Sequence, residues 1–167
     1  MEPREAKFAA IGVISKLDLY SIQSRQNVRD YYDVTAGMNP HEHYRDWPTC
    51  SYPELVVDED TLRQLDAEHA SDLLSFAAEK ALVRDHLYAI HEASFDPTEV
   101  DGHRAVIVGY FGYEAYLLAS KLRESFGLPL FGRLWGIEDD FPDLLHYWQE
   151  TKKEVAKRSG PRSESEE

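Results

Sequence analysis

His41-Glu42-His43, followed by Asp46 and Cys50, brings two imidazoles, two carboxylates and a thiol into ten residues. In an extended segment alternate residues point the same way, so His41 and His43 would share one side and offer zinc two nitrogens. The remaining ligands fall at no recognised metal spacing. Arg84 and His91, in RDHLYAIH, form a second pair that carries chemistry: seven residues apart on a helix, they lie on one side. A histidine there can take a proton while an arginine stabilises charge growing on phosphorus. Cys50 has no base beside it in sequence and reads as a small buried thiol, and no serine stands in a nucleophile-elbow context.

The arginine, polar residue and histidine of Arg84-Asp85 and His91 resemble the spacing of HEPN-type ribonucleases, and that resemblance implies an RNA-cleaving site at Arg84 and His91. It covers eight residues within the most acidic part of the chain, a poor setting for a polyanion. Pro142-Asp143 with Glu150-Thr151-Lys152 imitates a metal-dependent nuclease signature, but both parts fall on one predicted helix and not on a strand hairpin. GYFGYE, residues 109–114, imitates a phosphate-binding turn. Phe111 occupies the position where a dinucleotide turn needs its second glycine, and no third glycine follows, so the segment reads as architecture. None of these motifs implies a cofactor.

Charge points to binding. Of a net charge of −13 over 167 residues, most comes from residues 54–101, where 13 acids face only Arg63, Lys80 and Arg84. Such a field repels nucleic-acid backbones and anionic membranes and attracts a basic protein. Asp58, Glu59, Asp60, Asp66, Glu68 and Asp72, together with Glu138, Asp139 and Asp140, are the carboxylates expected to pair with the lysines and arginines of such a partner. Tyr147 and Trp148, beside the second acidic group, are the expected aromatic anchors. The function expected on this basis is that of an acidic cytosolic protein-binding module, an inhibitor, immunity protein or antitoxin of a basic partner such as a nuclease. The alternative is an enzyme, either the HEPN-like ribonuclease or a hydrolase with a metal at His41 and His43.

The elements that position these groups follow from pattern. With 43% apolar and 12% aromatic residues the chain can fill one core, and residues 1–158 are expected to form a single globular domain with 159–167 as a disordered acidic tail. One cysteine allows no internal disulfide, the N-terminus MEPREAKFAA is too charged for a signal peptide, and no apolar run reaches bilayer length; the expected compartment is the cytoplasm. Residues 8–20 contain an expected strand, 23–53 are expected to be ordered but irregular, and 55–57 (LVV) a short strand. Asp58 or Asp60 then caps a helix over about 59–68. A helix over about 70–94 turns Leu73, Phe76, Val83, Leu87 and Ile90 inward. Another, about 141–157, opens on Pro142 and acids and closes on Lys152, Lys153, Lys157 and Arg158, in accord with its dipole.

Residues 103–127 (HRAVIVGYFGYEAYLLASKLRESFG) decide the fold class. Asp96-Pro97-Thr98-Glu99 resembles a helix start, and Ile107, Phe111, Ala115, Leu118, Leu122 and Phe126 recur at helical spacing. Against one long helix stand Gly102, Gly109 and Gly112, the β-branched run Val106-Ile107-Val108, and Asp101-Gly102 as a hairpin turn. The preferred reading is a strand at 104–110, a turn at 109–112 and a helix at 113–126 closed by Gly127. That makes an α+β domain, a small sheet packed by three to four helices, with an all-α bundle as the alternative.

Overall fold

The computed structural model describes residues 3–93, 96, 98–132 and 141–158. Among these residues six helices follow one another: α1 (Pro3–Thr35), α2 (Pro40–His43), α3 (Glu59–Gln64), α4 (Ala67–Ala93), α5 (Glu99–Phe126) and α6 (Pro142–Arg158). No strand occurs among the described residues, so the α+β expectation is overturned and the all-α alternative holds. Helix α5 lies at the centre and packs against α1, α4 and α6. No helix of the described residues is long and apolar enough to cross a membrane.

The expected strand at 8–20 lies within α1, which continues through the first part of the segment expected to be irregular. Its buried positions, Ala10, Val13, Leu17, Tyr20, Ser24, Val28 and Tyr31, recur at intervals of three and four, the spacing of one helical face. Two of the positions closest to α5 are serines. Ser21 Oγ donates to the carbonyl of Leu17 within α1 and to that of Gly112 on α5, at 3.2 and 2.8 Å.

The expected strand, turn and helix of 104–126 are one helix, α5. Two of the residues that argued against it, Gly109 and Gly112, are packing devices. A Cβ on Gly109 would stand 2.7 Å from Cδ2 of Tyr147 on α6, and one on Gly112 would stand 2.6 Å from Cβ of Ser24 on α1. The missing side chains let three helices approach, and the dispersion attraction of that close packing outweighs the helix-propensity cost of about 1 kcal/mol per glycine. Asp101-Gly102 makes no hairpin but lies in the first turn of α5. Asp96 bonds the backbone N–H and the hydroxyl of Thr98 just before it, both at 2.8 Å. The helix closes as expected at Gly127, whose φ of 63° is the left-handed conformation that favours glycine.

Residues 55–57 are extended but pair with no strand. They belong to a strap that runs back along α1, held by side chains that bond its backbone. Asn27 donates to the carbonyl of Ser51 at 2.9 Å, Arg104 Nε to that of Cys50 at 2.8 Å and Lys16 Nζ to that of Val56 at 2.7 Å. Tyr52, Leu55 and Val57 pack on the core beside Phe76, Phe111 and Tyr20. The helix expected over 59–68 is split in two, α3 ending at Gln64 and α4 starting at Ala67. Asp66 caps the new start by accepting from the N–H of His69 at 2.9 Å. On α4, Leu73, Phe76 and Leu87 face inward and Val83 is half-buried, as the pattern predicts, while the side chain of Ile90 lies outside the described residues. Residues 138–140 and the tail 159–167 lie outside the described residues.

Candidate functional site

The acids at 58–72 come together through two consecutive helix starts. Asp58 is the N-cap of α3, accepting from the N–H of Thr61 at 2.7 Å. Bonds from the Thr61 side chain and backbone hold its carboxyl below the usual range. Glu59 pairs with Arg63 one turn on, and Asp66 caps α4 while its other oxygen lies 3.5 Å from Nε2 of His69. Glu68 and Asp72 each stand 2.8 Å from Nζ of Lys121 on α5, and these bonds push the lysine above its ordinary value. Asp60 is exposed. Six carboxylates thus meet three cations, Arg63, Lys121 and Lys16, the last acting on Asp58 through its charge. All but Asp72 are exposed.

The expected aromatic anchors are elsewhere. Helices α4 and α6 pack on different faces of α5: Lys121 meets α4, whereas Gly109 and Tyr113 meet α6. Tyr147 presses on Gly109 and stacks on Tyr32 of α1, ring centroids 6.1 Å apart. Trp148 donates from Nε1 to Glu114 at 2.9 Å and packs on Tyr113. Both residues are half-buried fasteners of α6. Glu138, Asp139 and Asp140 fall outside the described residues.

Beside Tyr147 lies a cleft between α1 and α6 of about 230 Å³, lined by Arg25, Arg29, Tyr32, Asp33, Asp143 and Tyr147 among others. Asp143, in the first turn of α6, accepts from Arg29 at 2.8 Å and stands 3.7 Å from Nε of Arg25. Two guanidinium groups therefore share the Asp143 carboxylate of the protein itself, and the cleft works as a clamp between helices. At this volume it is below the size usual for a small-molecule site. Its sequence signal, Arg25 and Arg29 at helical spacing, is legible only once α1 is known to extend past residue 20.

The remaining candidates are separated by their geometry. His41 and His43 lie in α2, not in an extended segment; two residues on a helix point roughly 200° apart. Among the described residues no three His, Cys, Asp or Glu side chains are grouped as metal ligands. Arg84 is exposed on α4, and the side chain of His91 lies outside the described residues. Cys50 is 2% exposed, and burial pushes its thiol up to about 11. At pH 8 it is held as the neutral, unreactive form. Ellman's reagent should accordingly leave the folded chain unlabelled over minutes at pH 8 and titrate one thiol in guanidinium; rapid labelling of the folded chain would contradict the burial.

No family model, curated protein or solved structure matches the chain.

Proposed function

We propose that the chain acts by binding a basic protein, as an inhibitor, immunity protein or antitoxin, through the acidic end built from α3 and the start of α4. The observation that carries the reading is the convergence of Asp58, Glu59, Asp60, Asp66, Glu68 and Asp72 on two successive helix starts, with too few cations to neutralise them. The ion pairs with Arg63 and Lys121 hold some of these carboxylates in fixed directions without removing them from solvent. Val56, 71% exposed beside them, offers an apolar contact within the charged surface. A partner's lysines and arginines would be steered there by the overall charge and would pair at contact.

The caps Asp58 and Asp66 and the half-buried clamp residue Asp72 also hold the fold, so the test uses the other three acids, of which Glu59 and Glu68 make only exposed ion pairs worth less than about 1 kcal/mol and leave Asp72 on Lys121. A triple variant, Glu59→Gln with Asp60→Asn and Glu68→Gln, should keep the helical spectrum of the parent. Used as bait in native lysate at about 50 mM salt, the parent chain should retain a stoichiometric basic protein that high salt releases. The triple variant should lose it. Equal retention by the triple variant, or capture indifferent to salt, would overturn the reading.

A further inference from the structure

We propose that the outer face of α1 is a self-association surface, on which a second copy of the chain lays its own α1 in the antiparallel direction. Opposite the buried face of α1, Phe8, Ile11, Leu19 and Ile22 are 61%, 43%, 63% and 46% exposed. Gly12, Ser15 and Gln26 lie among them, also exposed, and from Phe8 to Gln26 this strip carries no charge. Of the charged groups beside it, Lys16 bonds the carbonyl of Val56 and Asp18 bonds Arg123, while Arg4 lies over the ring of Phe8 at the end of the strip. A solvated helix face this long ordinarily carries lysine and glutamate.

The spacing identifies the occupant. Phe8, Gly12, Ser15, Leu19, Ile22 and Gln26 are separated by four, three, four, three and four residues, the seam of a two-helix coiled coil. In a parallel pair each residue would meet its own copy, leaving Gly12 and Ser15 layers empty while Leu19 and Ile22 layers crowd. In the antiparallel pair Gly12 faces Ile22 of the second copy, Ser15 faces Leu19 and Phe8 faces Gln26, so each layer sets a small or flexible residue against a large one. The face is complementary to itself in that one direction. The four large side chains expose about 400 Å² of apolar surface per copy. Two copies, with the glycine, serine and glutamine surface between, approach the roughly 1,000 Å² that a specific pair requires. An area at this low end belongs to weak, reversible interfaces and not to obligate ones.

Salt separates this proposal from the basic-partner reading. Two copies of net charge −13 repel one another, so salt should tighten the dimer, whereas it should release a basic partner. Sedimentation equilibrium of the whole chain should show a monomer–dimer equilibrium strengthened between about 50 and 500 mM salt. Leu19→Glu, and separately the milder Ile22→Gln, should raise the dissociation constant at least tenfold with helicity unchanged. Leu82→Glu, on the exposed face of α4, should not. Direction is read by cysteine pairing, since buried Cys50 stays silent: Ser15→Cys mixed with Leu19→Cys should give a crosslinked heterodimer on mild oxidation, and neither chain alone should crosslink. A parent chain that stays monomeric at about 100 μM, where even a binding free energy of only about −6 kcal/mol would pair many of the copies, would overturn the proposal. So would a dimer that survives Leu19→Glu, one broken by Leu82→Glu instead, or crosslinking of either cysteine chain alone.

Discussion

Arg123→Ala should lower unfolding stability by about 3 kcal/mol, the scale for breaking a largely buried ion pair. The Arg123 and Asp18 side chains are 10% and 17% exposed at the seam of α5 and α1. Nη1 donates to Oδ1 at 2.8 Å and Nη2 to Oδ2, a two-pronged pairing that fixes the helices in rotation as well as distance. The guanidinium also lies 5.5 Å from the centroid of Phe131. Removing the arginine strands a carboxylate out of water, and that penalty is most of the loss. Replacing both partners with apolar residues, Asp18→Leu with Arg123→Met, should recover stability to within about 1 kcal/mol of the parent, because neither charge is then left behind. Urea midpoints of Arg123→Ala and of the double variant decide the matter. If the double variant loses as much as Arg123→Ala, packing and not charge accounts for the effect.

The same substitution should have opposite signs at two positions of α5. Gly112→Ala would place a methyl group 2.6 Å from Cβ and 3.0 Å from Oγ of Ser24, and 3.2 Å from Cδ1 of Leu144. All three atoms are held in the packed seam, so the helices must move apart. A net loss of about 2 kcal/mol is expected, overpacking outweighing the gain in helix propensity. At Gly102 the nearest atom is the Tyr31 hydroxyl oxygen at 4.0 Å, an ordinary contact. There alanine should raise stability by up to about 1 kcal/mol. Thermal unfolding of the two variants measures both. A stabilised Gly112→Ala chain would mean that α1 and α5 are not in the close contact described.

These glycines also explain why the sequence misleads over α5. Local preference counts Gly109, Gly112 and Val106-Ile107-Val108 against a helix, and locally that is correct. Their value lies in what approaches them, Tyr147 from 38 residues onward and Ser24 from the far end of the chain, which no window of sequence contains. Helix α1 misleads for a related reason: Ser21 and Ser24 occupy core positions and interrupt its apolar pattern. Helices α4 and α6 are legible because one apolar face, in the first, and charges matched to the dipole, in the second, are local properties. At the candidate site the Asp58 cap and the excess of acids can be read directly. The clamp of Glu68 and Asp72 on Lys121 cannot, since it depends on how α4 and α5 align. The pairing of Arg25 and Arg29 with Asp143 is equally hidden, as it spans 114 residues.

The α1–α5 seam joins Ser21 to Gly112 and Asp18 to Arg123, partners 91 and 105 positions apart. Helices α4 and α5 are separated by only five residues of sequence, while α1 must close a loop of most of the chain before its contacts with α5 reward it. During synthesis, at roughly 5–20 residues per second, α1 leaves the ribosome on the order of ten seconds before α5 does. Through that interval both its stripes are bare, the one destined for α5 and the one on its outer face. The newborn chain is therefore most exposed to aggregation at α1, which has to wait for its central helix to arrive.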